Sequence, residues 1–243
     1  MEEIRIDDIF AKLMADEKFR NDYLLAYLDR FVYSATDLEQ PLDASARKKT
    51  IQSLLEAFDV LKEFDDTKMS PYDLVKVGDA VNKDSGISGF RRVIVSAGKY
   101  ADWTPVLPRQ IIYALYSLLD NYYNIWVDRD VYEKEAAFHI SFMRIHPFED
   151  GNKSTAKVLL NSNLIRQNHP PVIISEGDTE EYYNYINNED VVGFAKFLRL
   201  KSLDELNTMM SYYKIAKKIP IEDSVVDVIQ EDNEKEVSRN GRR

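Results

Sequence analysis

Apolar side chains recur at helical spacing through most of this 243-residue chain. Two segments near the start each keep their apolar residues on one helical face: Phe19, Tyr23, Leu24, Tyr27, Leu28 and Phe31, then Ile51, Leu54, Leu55, Phe58 and Leu61. The same period returns within residues 111–119, 136–143, 156–164 and 194–210. An apolar stripe of this kind must be buried against another element. The pattern therefore predicts a chain built largely of packed amphipathic helices.

Residues 84–95 break this pattern. Their sequence, Asp-Ser-Gly-Ile-Ser-Gly-Phe-Arg-Arg-Val-Ile-Val, combines two turn-forming glycines with a β-branched run. This predicts a short strand, the only convincing one in the first half of the chain. From about Ile219 the composition becomes charged and polar without any aromatic residue, so residues 222–243 are predicted to be a mostly disordered tail.

The stretch from residue 139 to residue 157 holds two of the three histidines. Pro147 ends the helix before it, because proline removes a backbone donor and clashes with the preceding turn. Asp150-Gly151 is a tight turn, and a new apolar period follows from Ala156. Asn152 and Lys153 should therefore lie in the first turn of a second helix.

A loop that leads into a helix N-terminus favours an anion such as phosphate. Gly151 lets a ligand approach the backbone closely, and Asp150 is a hard oxygen ligand suited to Mg²⁺ beside nucleotide phosphates. His146 has an imidazole whose ordinary pKa of about 6.5 allows it to accept a proton. Taken singly, His146 is explained as an ordinary loop histidine, Asp150-Gly151 as a turn pair and Lys153 as a solvated lysine. Together they predict phosphoryl or nucleotidyl transfer.

The segment His146-Pro-Phe-Glu-Asp150-Gly-Asn152 resembles the Fic family signature, His-x-Phe-x-Asp/Glu-Gly-Asn, at every defined position. The resemblance extends from the N-terminal helices to about residue 205. It implies an all-α Fic-domain helical bundle with a small β-hairpin flap. It also implies transfer of AMP from ATP, with Mg²⁺, to a Ser, Thr or Tyr hydroxyl of a target protein. In the family the histidine is the general base, the acidic residue binds Mg²⁺, and the Gly-Asn pair holds phosphates; these roles fall on His146, Asp150, Gly151 and Asn152.

The chain departs from the family where the signature continues Gly-Arg-x-x-Arg and this sequence has Lys153-Ser154-x-x-Lys157. These three residues are the expected nucleotide-binding positions. However, Ser154 cannot replace a bidentate guanidinium, and Lys157 keeps the charge without the fork. The Doc branch of the family carries a lysine at the position of Lys153, and that branch resembles a kinase that uses ATP in reversed orientation. A Doc-like kinase or a hydrolase that removes AMP is therefore an alternative on the same fold. A nucleotide- or protein-binding module without turnover is an alternative of another class.

Three further sites follow from the resemblance. Glu39 matches the end of an inhibitory motif, Ser/Thr-x-x-x-Glu-Gly/Asn, although the motif is imperfect and a plain surface carboxylate explains it equally. Phe90 and Arg91 fall in the flap that docks a target segment by strand addition, or in an ordinary turn. Tyr182 and Tyr183 match tyrosines near the adenine, although packing in the core is the favoured explanation for both.

The resemblance and the composition together divide the chain into N-terminal helices that include the inhibitory candidate (1–65), a Fic-domain core (66–215) and a polar tail (216–243). A formal charge of −10 argues against a nucleic-acid partner. No apolar run approaches the roughly 20 residues that span a bilayer, and the start of the sequence lacks a signal-peptide pattern. These features predict a cytoplasmic protein without a membrane partner. The sequence leaves open whether it forms a homo-oligomer.

Overall fold

A computed structural model describes residues 6–35, 43–64 and 68–217 of the chain. The inhibitory candidate Glu39 and the predicted tail 222–243 lie outside these residues. The described part contains nine α-helices: α1 (Ile6–Ala15), α2 (Glu17–Ala35), α3 (Ala44–Lys62), α4 (Pro71–Val81), α5 (Ile111–Asp120), α6 (Val131–Ile145), α7 (Asn152–Arg166), α8 (Thr179–Asn187) and α9 (Val191–Lys217). Short 3-10 turns at Pro108–Gln110 and Glu176–Asp178 and a π-helical turn at Asn121–Ile125 connect some of them.

Within the described residues there is no β-strand, so the hairpin flap expected at 84–95 is corrected to an irregular segment. The physical reason is that its backbone groups bond to helices and loops instead of a neighbouring strand. The N–H of Gly89 donates to the Asp79 carboxylate at 2.7 Å, and the N–H of Arg91 donates to the Pro147 carbonyl at 2.9 Å. Strand preference depends on context, and here no partner strand is available.

Side-chain caps define where several helices begin. Asp43 accepts from the N–H groups of Ser45 and Ala46 at 2.8 Å each and caps α3. Asp130 caps α6 in the same way through the N–H of Tyr132 at 3.0 Å. Each such cap satisfies backbone donors that the helix itself leaves unpaired.

Helices α6 and α7 form the centre of the molecule. Helix α6 packs against α5, α7, α8 and α9, and it is buried over most of its circumference. Helix α7 is buried in the same way and also contacts α2, α3 and α4. Because both helices are fixed in the core, the short loop that joins them is held at both ends, and its position is set by the fold.

The N-terminal helices pack directly on the rest of the bundle. Arg30 on α2 forms a two-pronged ion pair with Glu205 on α9, at 2.9 and 2.5 Å, and the Tyr23 hydroxyl donates to the same carboxylate. Among the helices that the structure describes, none is both long and apolar enough to cross a membrane.

Candidate active site

The loop between α6 and α7 (residues 146–151), which is called the motif loop below, begins at His146. The backbone of His146 is left-handed, with φ 52° and ψ 63°. This conformation costs a non-glycine residue about 1–2 kcal/mol, and it ends α6 because the chain can no longer follow the helical path. The N–H of His146 still closes the last turn by donating to the Phe142 carbonyl at 3.0 Å. The side chain of His146 faces a cleft at this end of the bundle.

The imidazole of His146 is oriented by Met143. Its Nδ1 lies 3.2 Å from the Met143 carbonyl, which can only accept a hydrogen bond, so Nδ1 carries the proton and Nε2 keeps its lone pair. Burial lowers the pKa of His146, and the charge of Arg91 lowers it further, against opposing effects of the Met143 bond and Asp150. The ring is therefore neutral at physiological pH, and its Nε2 is able to accept a proton.

The side chain of Asn152, the first residue of α7, closes the loop by bonding to its main chain at Phe148. Its Oδ1 accepts from the N–H of Phe148 and its Nδ2 donates to the carbonyl of Phe148, both at 2.9 Å. The side chain is 2% exposed. This pairing shapes the loop, a role that the sequence did not suggest; the expected contact between the Asn152 amide and phosphate stays a prediction.

Phe148 anchors the loop in the core. Its ring is stacked on Phe90 at 6.4 Å with an interplanar angle of 8°, and it contacts Phe142 at 6.2 Å. The ring rests against Gly78 of α4 so closely that a Cβ at that glycine would lie under 3.0 Å from three ring atoms. One face of the Phe90 ring, which was expected to contact a target, is therefore packed against the motif loop.

Asp150 and Gly151 form the turn before α7. Gly151 has φ 74°, and a Cβ there would collide with the side chain of Asn82. Asn82, at the end of α4, donates from Nδ2 to the carbonyl of Asp150 at 3.0 Å. Gly151 is thus required both by its positive φ and by the close approach of Asn82.

The carboxylate of Asp150 is exposed at the cleft, where its Oδ1 accepts from the N–H of Gly151 at 2.7 Å. Glu149 is a second exposed carboxylate beside it. The described residues contain no cluster of three or more acidic, histidine or cysteine side chains that would hold a metal without help. The donor set fits Mg²⁺ held by one or two carboxylates together with substrate phosphates and water.

The cleft has a volume of about 630 Å³. Its walls come from α3, the end of α4, residues 96–98, the motif loop, the start of α7 and Tyr183 of α8. It brings together these predicted site residues: His146, Asp150, Gly151, Asn152, Lys153, Ser154 and Tyr183. A cleft of this size is in the range of small-molecule and cofactor sites.

Comparison with known proteins agrees with this geometry. Residues 58–164 match the model of the Fic/DOC family. The chain contains a Fic domain. The match covers the motif loop together with most of both helices that hold it.

Several relatives of this Fic domain carry the name protein adenylyltransferase. That from Nematostella vectensis is 29% identical over 179 residues, which are 66% of this chain and 41% of the relative. That from Caenorhabditis briggsae, named fic-1, is 31% identical over 115 residues, which are 45% of this chain and 21% of the relative. The present chain thus matches less than half of the length of these relatives.

Solved structures confirm the predicted all-α Fic fold. A Fic domain containing signaling protein from Bacteroides thetaiotaomicron superposes with a TM-score of 0.67 at 17% identity, covering 90% of this chain and 99% of its own. A Fic-1 structure from C. elegans gives the same TM-score of 0.67 at 20% identity, covering 88% of this chain and 72% of its own.

Two residues that the resemblance placed at the nucleotide lie in the core of the Fic domain, and their assignment is corrected. Lys157 is 4% exposed; its Nζ donates to the carbonyl of Ser34 and, at 3.1 Å, to that of Ile174. Burial holds the pKa of Lys157 well below its usual value. Tyr182 is 2% exposed and its hydroxyl pairs with Nε2 of His139 at 2.8 Å. Neither side chain lines the cleft.

The remaining predicted nucleotide positions do line the cleft. Lys153 is half-buried at its edge, and burial lowers the pKa of its ammonium group to about 8. Tyr183 is packed between Tyr100 at 5.5 Å and Trp103 at 6.2 Å while still reaching the cleft. Ser154 presents a hydroxyl where most Fic domains would present an arginine.

The assignment of Arg91 is also corrected. This residue was expected to contact a target, but its side chain is 2% exposed and donates to carbonyls of its own chain. This contact of Arg91 and the contact of Asn82 with the Asp150 carbonyl are two further site interactions that sequence reasoning missed. Both residues lie where helical spacing is absent, so no periodic signal could have indicated them.

Proposed function

We propose that this protein is a protein adenylyltransferase that moves AMP from ATP to a hydroxyl side chain of a target protein. The observation that carries the proposal is the orientation of His146. Its Nε2 keeps a lone pair at the cleft, within the same short loop as the exposed carboxylate of Asp150 and a helix N-terminus. The relatives named protein adenylyltransferase support the same activity.

In this mechanism His146 Nε2 accepts the proton of the target hydroxyl, whose oxygen attacks the α-phosphorus of ATP. The bond from that phosphorus to the β-phosphate oxygen breaks and pyrophosphate leaves. The turn at Gly151 allows the phosphates to approach the first turn of α7, whose dipole favours their charge. Lys153 adds a positive charge at the edge of the cleft. Mg²⁺ bound at Asp150 would neutralise phosphate charge.

A second candidate keeps the fold and changes the chemistry to that of a Doc-like kinase or a hydrolase that removes AMP. It is favoured by the cationic side chain of Lys153 at the cleft beside Ser154, with no arginine from either motif position. A third candidate is a binding module without turnover. AMP transfer, phosphate transfer and binding without turnover predict different labelled products from ATP, so one labelling experiment separates these three activities.

The test follows label from α-labelled and γ-labelled ATP with Mg²⁺ onto the protein itself and onto proteins of a cell lysate. The variant His146→Ala should lose transfer, because it removes the base while disturbing little of the core. His169→Ala is the matched control, since His169 packs edge-on against Tyr132 and does not line the cleft. Label from γ-labelled ATP only would indicate a kinase. No label in any variant, with ATP binding seen by calorimetry, would indicate a binding module.

Inhibition by Glu39 and a cytoplasmic location belong to the same proposal. If Glu39 inhibits, Glu39→Gly should raise transfer from α-labelled ATP. Gln40→Gly is its matched control, because it loosens the adjacent backbone equally and leaves the carboxylate in place. Equal stimulation by both variants would count against inhibition by the carboxylate.

A further inference from the structure

We propose that Arg91 is a positioning residue that fixes His146 in its working orientation through the main chain. The inference rests on the proposed role of His146 as the general base. It gives Arg91 a place in catalysis although its side chain does not line the cleft.

Arg91 donates hydrogen bonds to three successive carbonyls, those of Ile145, His146 and Pro147. Its Nε donates to the carbonyl of His146 at 2.6 Å and its Nη2 to that of Ile145 at 3.4 Å. Its own backbone N–H donates to the carbonyl of Pro147 at 2.9 Å. The guanidinium also bonds to the carbonyls of Val93, at 3.0 Å, and Val106. One residue thereby joins the end of α6 to both halves of the irregular segment between α4 and α5.

The charge of Arg91 is stabilised without a carboxylate. The side chain is 2% exposed, and among the described residues it forms no ion pair. Its partners at the motif are carbonyls at the C-terminus of α6, which is the negative end of the helix dipole. The planar fork of a guanidinium can reach several carbonyls at once, whereas an ammonium group acts as a single point of donation.

His146 needs such a support because its left-handed backbone is strained. Residues in sparsely populated backbone regions persist only where the surroundings over-determine them. For His146 those surroundings are the Arg91 bond to its carbonyl, the bond from its N–H to Phe142 and the bond from its ring to Met143. Without Arg91 the peptide after His146 can rotate, and the ring moves with it. A misplacement of about 1 Å costs on the order of 100-fold in rate.

The test separates positioning of the base from binding of the nucleotide. In Arg91→Lys and Arg91→Gln, the maximal rate of label transfer from α-labelled ATP should fall about 100-fold, while the apparent KM for ATP stays within about twofold. The control is Arg92→Gln, because Arg92 is the exposed neighbour and should leave both quantities unchanged. In Arg91→Ala, added guanidinium at low millimolar concentration should restore part of the rate. Full rate in Arg91→Gln overturns the proposal, and so does an equal loss of rate and ATP affinity.

Amide hydrogen exchange tests the support of the loop without using activity. In Arg91→Lys the N–H of His146 should exchange faster, while amides in the middle of α6, such as Ile140, keep wild-type protection. Unchanged exchange at His146 overturns the positioning role. Faster exchange throughout α6 would show a general loss of stability and would also overturn it. A wild-type protein that transfers no label refutes the proposed function, and Arg91 is then judged by its local effect on exchange.

Discussion

Replacing Gly78 by alanine tests how the motif loop is seated on α4. Alanine in a helix interior is normally favoured over glycine by about 0.8–1 kcal/mol, so an unobstructed site would gain stability. At Gly78 the added Cβ would lie under 3.0 Å from three atoms of the Phe148 ring. That ring is 1% exposed and contacts Phe90 and Phe142, so it has no free space to move into.

Overpacking of a filled core costs about 1–3 kcal/mol, which exceeds the helical gain. We therefore expect Gly78→Ala to lower the free energy of unfolding by about 1 kcal/mol and the Tm by about 2–4 °C for a domain of this size. The displaced ring would also pull on the bonds between Phe148 and Asn152, so label transfer should fall in parallel.

The assay is thermal and urea unfolding of Gly78→Ala, Phe148→Leu and the double variant. Leucine is shorter than phenylalanine, so Gly78→Ala should become neutral or stabilising in that background, with a coupling energy of about 1 kcal/mol or more. Gly177→Ala is the control, because the nearest atom to a Cβ there is the Ser175 Oγ at 3.8 Å. A rise in Tm for Gly78→Ala in the wild-type background would refute the reasoning.

Three other predictions follow from buried titratable groups. Lys157→Met should destabilise the fold by about 2 kcal/mol, since it leaves buried carbonyls unpaired, yet calorimetry should show unchanged ATP affinity; a large loss of affinity would return Lys157 to the nucleotide site. Lys153 loses its charge above its pKa of about 8, so the transfer rate should decline above that pH in the wild type and persist to higher pH in Lys153→Arg, because a guanidinium does not titrate there. Burial raises the pKa of Glu135 from 4.5 to about 7, so the fold favours its protonated form and stability should fall as pH rises through that window. Glu135→Gln should flatten this decline in urea unfolding between pH 5 and 8, and an equal decline in the variant would contradict the assignment.

The helices and the position of the loop could be predicted from the sequence. Helical spacing reports a buried stripe, and Pro147 and Asp150-Gly151 mark the end of α6 and the start of α7 by local backbone constraints. The strand at 84–95 was predicted wrongly because β-branched residues indicate a strand only where a partner is available. That partner is a property of the whole fold.

The side-chain assignments failed for a different reason. Helix α7 is buried on nearly every side, so its sequence cannot show which face meets the cleft and which meets the core. Lys153 and Lys157 lie one helical turn apart, yet the first reaches the cleft and the second points to Ser34 and Ile174. Only the packing of the neighbouring helices distinguishes them.

The closure of the loop by Asn152 has a consequence for how ligands bind. Because both main-chain groups of Phe148 are already bonded to that amide, the conformational entropy of the turn is lost when the protein folds. A nucleotide that binds at this loop would therefore have little of the loop's backbone to order. Its affinity is set by the groups that it contacts and the water that it displaces, and free and bound forms of the loop should share one backbone shape.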